Sequence, residues 1–158
     1  RSIGVHKNAP RHIVTRLARD LPEISRIVLA HSPVLTNTDL IQLVQSGEAT
    51  CPEAIAKRMP LTAELAQSIC EEGSVEACIA LCRNKSVVLS GAVHHLMAIR
   101  YGDVAEMREI LLRDDALAPR TCQLLVSKLA NSLAKMADER NWMNGERARS
   151  STSGSSAR

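Results

Sequence analysis

Three cysteines are spaced so that they could act together in binding a metal. Cys78 and Cys82 lie four residues apart, which places both on one face of a helix, and Cys70 lies one predicted helix earlier. Three thiolates and a histidine can bind zinc tetrahedrally. However, cysteine also packs well between helices, and Cys78 and Cys82 share an apolar stripe with Val75 and Ile79. Because the chain has no CxxC pair, we predict core packing and no metal ligands.

Two adjacent histidines, His94 and His95, are the candidates for a general base. Neighbouring residues on a helix point about 100° apart, so these two rings cannot easily chelate one ion together. One ring could remove a proton from a substrate, but the sequence fixes no Ser, Cys or Asp beside it. The pattern therefore favours one partly buried and one exposed histidine.

Two acidic pairs, Glu71-Glu72 and Asp114-Asp115, could support acid–base chemistry or metal binding. Both lie at predicted helix ends, where solvated carboxylates are the ordinary case. The chain contains none of the motifs G-x-G-x-x-G, P-loop, G-x-S-x-G or H-E-x-x-H. We therefore predict that the protein is not an enzyme and has neither catalytic residues nor a cofactor.

The elements that position these residues repeat along the chain. Four segments begin alike, with leucines 26, 28 and 28 residues apart: Val34-Leu35-Thr36, Pro60-Leu61-Thr62, Val88-Leu89-Ser90 and Ala116-Leu117-Ala118. Glycines follow the first three leucines after 12, 12 and 13 residues: Gly47, Gly73 and Gly102. This self-similarity predicts a repeat architecture.

The repeated positions have the chemistry of helix ends. Thr36, Thr62 and Ser90 predict N-caps, and the leucine before each predicts a hydrophobic staple. The glycines predict helix ends with a positive φ. A second series places a glutamate three residues after a possible N-cap, in the pairs Asp20…Glu23, Thr50…Glu53, Gly73…Glu76 and Asp103…Glu106. Except at Gly73, which has no side chain, these pairs predict capping boxes.

Together these signals predict an all-α fold of about nine helices. Apolar residues recur at steps of three and four residues, and no useful period-two alternation suggests a strand. The predicted helices lie near residues 10–20, 21–31, 37–46, 51–58, 63–72, 74–83, 91–101, 104–113 and 119–140. We predict an α-solenoid of about four degenerate two-helix repeats over residues 1–143, followed by a polar flexible tail over 144–158.

The chain resembles HEAT-like and leucine-rich-variant α-solenoids in its Leu-Thr or Leu-Ser starts, its glycine stops and its unit of about 28 residues. More narrowly, Ser32-Pro33-Val34-Leu35-Thr36 followed by Asp39-Leu40-Ile41, and Ala54 to Thr62, resemble a bacterial family known only as a domain of unknown function. The resemblance covers roughly residues 15–135. It implies an α-solenoid, no known activity and no catalytic residues to transfer.

Charge and composition narrow the possible partners. Residues 1–20 carry a net charge of +4, residues 135–158 carry +2, and the body between them carries −3. An acidic body with one Trp, one Tyr and no Phe disfavours nucleic acid, which needs basic grooves and stacking rings. No apolar run approaches the length of a membrane span. The odd number of five cysteines fits a reducing, cytoplasmic setting.

The most favoured function is a protein–protein interaction scaffold, because stacked helix pairs present an extended surface to a peptide or protein. The alternatives are a nucleic-acid-binding HEAT-like protein and a metal-binding or enzymatic helical domain. Helical phase predicts a partner surface on the second helix of each repeat, with Gln42, Gln45, Gln67, His94, His95, Arg100 and Lys128 as its main residues. Asp39, Glu64, Ser68, Gln123 and Ser127 extend the same predicted surface.

Two terminal regions add candidate surfaces. The last helix carries a longer apolar stripe, which suits a terminal cap or a homodimer contact; its residues are Cys122, Leu125, Leu129, Leu133 and Met136. The basic segment from Arg11 to Arg19 predicts either an ordinary capping helix or a docking site for an acidic partner or anionic membrane surface.

Overall fold

The computed structural model describes residues 10, 12–14, 16, 22–47 and 50–153, which form helices joined by turns and loops, with no strand among them. Eight helices have defined bounds: α1 Pro22–His31, α2 Asn37–Gln45, α3 Thr50–Ala56, α4 Ala63–Glu72, α5 Val75–Arg83, α6 Gly91–Tyr101, α7 Ala105–Leu112 and α8 Pro119–Ser153. Most of the predicted helix at 10–20 lies outside the described residues, although residues 12–14 are helical and Val14 is buried. The all-α prediction is confirmed for the described part of the chain.

Alternate helices contact each other, which arranges the chain in two rows. One row consists of α1, α3, α5 and α7, and the other consists of α2, α4, α6 and α8. The core lies between the rows and is aliphatic; its fully buried side chains include Leu43, Ile55, Leu65, Ile69 and Leu81. No helix in the described part of the chain combines the length and apolar character that crossing a bilayer requires.

The first series of predicted caps is confirmed. Thr36, Thr62 and Ser90 are N-caps with extended backbones, and each hydroxyl accepts a hydrogen bond from the amide three residues later. Thr36 also forms a full capping box with Asp39. Of the preceding leucines, Leu35 and Leu61 are buried in the core, and Leu89 is half-buried and packs against it.

The second series of caps is wrong at its described positions. Thr50 is already helical, so it is not an N-cap. Ser74, not Gly73, caps α5, because its hydroxyl can accept from the Ala77 amide. The N-cap of α7 is Val104, without a side-chain bond, while Lys128 binds the Asp103 carboxylate instead. The remaining predicted cap, at position 20, lies outside the described residues.

The glycines differ in why they are needed. Gly47 has φ +80°, as predicted for a left-handed helix end. Gly73 has φ −72° and Gly102 has φ −63°, so the prediction of a positive φ is wrong for both. Their requirement is space: a Cβ at Gly73 would collide with the Ile69 carbonyl oxygen, and one at Gly102 with that of Ala98.

The final helix is much longer than its predicted end at residue 140 allows. It has 35 residues and continues to Ser153. All side chains from 133 to 147 are exposed, so packing against other helices does not stabilise this part of α8. Residues 134–140, Ala-Lys-Met-Ala-Asp-Glu-Arg, are mostly strong helix formers, which explains the continuation by local preference. The division into a domain over 1–143 and a tail over 144–158 stays a prediction, although residues 144–153 are helical.

Candidate interaction surface

Polar side chains join the ends of neighbouring helices in the row α1, α3, α5. Arg58, just after α3, donates to the Leu29 carbonyl at 2.6 Å and the Ser32 carbonyl at 2.9 Å, at the end of α1. Asn84, just after α5, donates to the carbonyls of Ala56 at 2.8 Å and Arg58 at 2.7 Å, at the end of α3. The Leu29 and Ala56 carbonyls belong to the last turns of α1 and α3, where backbone acceptors lack the next helical turn, and those of Ser32 and Arg58 lie just beyond the helix ends. We call these contacts helix-end links.

The row α2, α4, α6, α8 has helix-end links as well. Arg100 donates to the Cys70 carbonyl, and the Tyr101 hydroxyl donates to the Gly73 carbonyl at 2.6 Å. Lys128 on α8 donates to the Ile99 carbonyl at 2.8 Å. Cations beside carbonyl ends of helices are also favoured by the helix dipole. Arg100 and Lys128, predicted as partner-binding residues, therefore already bind the protein's own backbone.

The two histidines also face the interior of the fold. His94 is 9% exposed, and its Nε2 lies 3.5 Å from the Asp114 carboxylate. His95 is half-buried, and its Nδ1 lies 3.1 Å from the Thr121 hydroxyl oxygen. The expectation of one exposed histidine is therefore wrong. The polar neighbour of His94 precedes α8, and that of His95 lies in the first turn of α8.

The predicted glutamines are on the open surface. Gln42 and Gln45 are exposed on α2, and Gln67 is exposed on the neighbouring helix α4. Gln67 donates to the Glu71 carboxylate at 2.9 Å. Among the further predicted positions, Glu64, Gln123 and Ser127 are exposed, Asp39 is half-buried and Ser68 is buried. Four of the seven main predicted residues are thus exposed: Gln42, Gln45, Gln67 and Arg100.

An open groove lies on the other row of helices, where the sequence analysis placed no surface. It has a volume of about 410 Å³. Its lining residues come from α3, α5, α7 and the loops beside them: Glu53, Lys57, Met59, Glu76, Ile79, Ala80, Arg83, Asn84 and Glu106. Helical phase alone could not reveal this groove, because it depends on the spacing between alternate helices.

The groove combines an apolar floor with a charged rim. Ile79 lies at the floor, while the neighbouring Met59 side chain is 74% exposed. Two ion pairs stand at the rim, Lys57 with Glu53 at 2.7 Å and Arg83 with Glu106 at 2.8 Å. These leave one further carboxylate on the lining, that of Glu76.

Glu76 is held in its charged form. Hydrogen bonds from its own backbone amide and from the Ser74 hydroxyl keep the pKa of Glu76 below its ordinary value. The groove lining therefore carries three carboxylates against two cations at neutral pH. We call the surface formed by Met59, Glu76, Ile79 and Ala80 the groove patch.

Most of the cysteines are core residues, and the pKa values of their thiols shift in different directions: that of Cys70 is lowered, chiefly by a hydrogen bond with Cys78. All five are free thiols; Cys51, Cys70 and Cys78 are buried. A hydrogen bond with Cys70, and then burial, raises the pKa of Cys78. Burial raises the pKa of Cys82 to about 12. Both thiols are therefore protonated at neutral pH, whereas metal binding and nucleophilic attack need the thiolate.

The acidic pairs are not assembled into a site. Glu71 and Glu72 are exposed at the end of α4, whereas Asp114 faces His94 and Asp115 is exposed. In the ranges that the structure describes, no three His, Cys, Asp or Glu side chains are grouped to hold a metal ion.

Comparison with known proteins gives one match. A family model described as an uncharacterised protein conserved in bacteria, DUF2336, matches residues 24–158. No curated protein and no solved structure matches the chain. The matched range begins within α1 and includes the helix-end links, the groove and all of α8.

Proposed function

The chain belongs to the DUF2336 family of uncharacterised proteins conserved in bacteria, and from this premise we propose that it is a protein-interaction scaffold built as an α-solenoid. The resemblance to such a bacterial family is thereby confirmed. The solenoid proposal is supported by the two rows of alternating helices and by the links that join successive helix ends. Stacked helix pairs of this kind present extended surfaces to peptides and proteins.

The observation that carries the proposal is the groove along α3, α5 and α7. Its floor offers apolar contact at Ile79 and Met59, and Glu76 adds a charged acceptor beside them. An extended protein segment that alternates an apolar and a basic residue matches this arrangement, since its apolar side chain fills the floor and its cation pairs with Glu76. The exposed glutamines on α2 and α4 provide a second, polar contact surface in this scaffold.

The other candidate functions have weaker support. A groove lining with three carboxylates and two cations repels phosphate, which argues against nucleic acid. The raised thiol pKa values of Cys78 and Cys82 argue against these two residues as thiolate metal ligands or nucleophiles. We place the protein in the cytoplasm, a proposal supported by its free thiols, which persist in reducing compartments.

Site-specific photo-crosslinking in bacterial cells tests the groove directly. A photoreactive amino acid replaces Ala80 in the groove patch, Gln42 on α2, or Asn141 on the exposed part of α8 as a control. We expect a discrete protein adduct from position 80. An adduct from position 42 with none from position 80 would contradict the groove and favour the glutamine surface.

The captured partner then allows a charge test. Glu76→Lys should weaken binding at least about tenfold, because a charge-assisted contact becomes a repulsion. Glu72→Lys, on an exposed carboxylate of the other row, is the matched control and should bind as the unchanged chain does. Equal affinities for both variants would remove Glu76 from the interface.

A further inference from the structure

Helix α8 carries an apolar stripe that the described part of the molecule leaves uncovered. We define the α8 stripe as Val126, Leu129, Leu133, Met136 and Met143. Four of these side chains are more than half exposed: Val126 at 53%, Leu133 at 57%, Met136 at 61% and Met143 at 53%. Leu125, one residue before the stripe begins, is instead fully buried against the body of the fold.

The spacing of the stripe is that of a coiled-coil seam. Its members follow one another after three, four, three and seven residues, and Arg140 occupies the position that divides the last step into four and three. A repeat of three and four keeps side chains along a line with a period of 3.5 residues, which is the a/d pattern of supercoiled helices. Helices α6 and α7 contact α8, but every side chain from 133 to 147 is exposed.

We propose that the α8 stripe pairs with the same stripe of a second copy of this chain, in an antiparallel two-helix coiled coil. This contact is separate from the groove and does not depend on the proposed function. A two-fold axis between Leu133 and Met136 sets Leu133 opposite Met136 of the second copy. The same register sets Val126 opposite Met143, so that apolar side chains meet in these layers.

Arg140 decides the direction of the pairing. In a parallel pair in register, the two Arg140 guanidinium groups would face each other in one layer, which is a repulsive contact. In the antiparallel register Arg140 lies opposite Leu129 of the second copy. Its methylene groups can cover that leucine while the guanidinium reaches water.

The positions on the two flanks of the seam agree with the antiparallel register. On one flank Ala130 lies nearest Ala137 of the second copy, and two small side chains there permit a close approach of the helices. Glu139 lies opposite Ser132 of the second copy, so no like charges meet beside the seam.

The size of the contact predicts a reversible dimer. The stripe from Val126 to Met143 is about 26 Å long at 1.5 Å per residue. Two helices paired over that length bury on the order of 1,000 Å² in total, at the lower limit of specific interfaces. We therefore expect a dissociation constant on the order of micromolar.

Sedimentation velocity of the full chain across the micromolar range tests the self-association. We expect a monomer that converts to a dimer as concentration rises. Leu133→Glu should abolish the dimer without lowering the melting temperature of the monomer, because the Leu133 side chain is 57% exposed. Ala134→Glu, on an exposed residue outside the seam, is the control and should leave the dimer intact.

Electron-spin distance measurements test the direction. Nitroxide labels at Ser127→Cys, with the partly exposed Cys82 and Cys122 replaced by Ser, should be about 23 Å apart in the antiparallel dimer. A parallel dimer would bring them to about 10 Å, the thickness of a helix, and would overturn the proposed geometry.

Other results would overturn the pairing itself. If the chain stays monomeric at all concentrations, a second copy does not cover the α8 stripe. If the Leu133→Glu variant of that monomer also melts at a lower temperature, the stripe is covered by another segment of the same chain. A dimer that Leu133→Glu leaves intact would place the contact elsewhere on the protein.

Discussion

The two halves of α8 both carry apolar residues at helical spacing but have different surroundings. In the first half Thr121 and Leu125 are at most 1% exposed, and Lys128 binds the Ile99 carbonyl of α6. In the second half Leu133 and Met136 are more than half exposed. Both halves have apolar residues at helical spacing, so this spacing identifies the helix but not what covers its apolar face. Burial depends on whether another helix lies alongside, which only the packed structure reveals.

The largest expected effect is on stability, when a leucine in each half of α8 is replaced by alanine. Leu125→Ala should destabilise the protein by about 2–5 kcal/mol, because a fully buried side chain leaves a cavity. Leu133→Ala, on the same helix, should change the stability of the monomer by less than about 0.5 kcal/mol. Urea unfolding of dilute protein measures both. Similar losses would mean that the second half is packed too.

Glycine substitutions should show the next effect. Gly102→Ala should cost about 3 kcal/mol, because the new Cβ meets the Ala98 carbonyl oxygen and lies 2.8 Å from the Lys128 side chain. Gly145→Ala has open space around it and should increase helix content, since Ala exceeds Gly in helix propensity by about 1 kcal/mol. Thermal melts followed by circular dichroism compare the two. A stabilised Gly102→Ala variant would contradict the close approach of α6 and α8.

Loss of a helix-end link should have a somewhat smaller cost. Asn84→Ala removes the donor to the Ala56 and Arg58 carbonyls and should cost about 1–3 kcal/mol. Asn141→Ala changes an exposed residue of the second half and should be nearly neutral. Denaturant melts give the two costs. Equal stability of both variants would mean that water replaces the lost donor.

Local signals explain what the sequence could predict. Each of three N-caps binds an amide only three residues later, so the interaction can be predicted from a few neighbouring residues; these are Thr36, Thr62 and Ser90. The side chains of Arg58 and Asn84 donate to carbonyls 26 to 29 residues earlier. Every residue has a backbone carbonyl, so the sequence does not indicate which carbonyl accepts. Sequence reasoning therefore predicted the helices but missed the links between them.

The surface residues show the same limit. The exposed positions of Gln42, Gln45 and Gln67 follow from helical phase, because their own helix turns them outward. His94 instead lies four residues after its N-cap, as the buried Leu40 and Ala66 do in their helices, and its ring faces Asp114, 20 residues later in the chain. The groove patch also escaped prediction, since its members come from α5 and from the loop after α3.

The last expected effect is a pH dependence confined to the packed region. Burial raises the pKa of Cys82 from the ordinary 9.0 to about 12, so the folded state holds this proton more tightly than the unfolded state. The resulting stabilisation is present below pH 9 and is lost as pH rises through 12. Chemical unfolding should show a smaller decline over this range for Cys82→Ala than for the unchanged chain. An identical decline would contradict the burial of this thiol.

The helix-end links limit how the body of such a protein can gain or lose residues during evolution. Arg58 and Asn84 each reach back to the previous helix of their own row, across 26 to 29 residues. Duplication or loss of one complete helix pair would keep each donor beside a carbonyl end. Insertion of a single helix would shift every later donor to the opposite row. Evolutionary gain or loss of residues in the body should therefore occur in multiples of one pair.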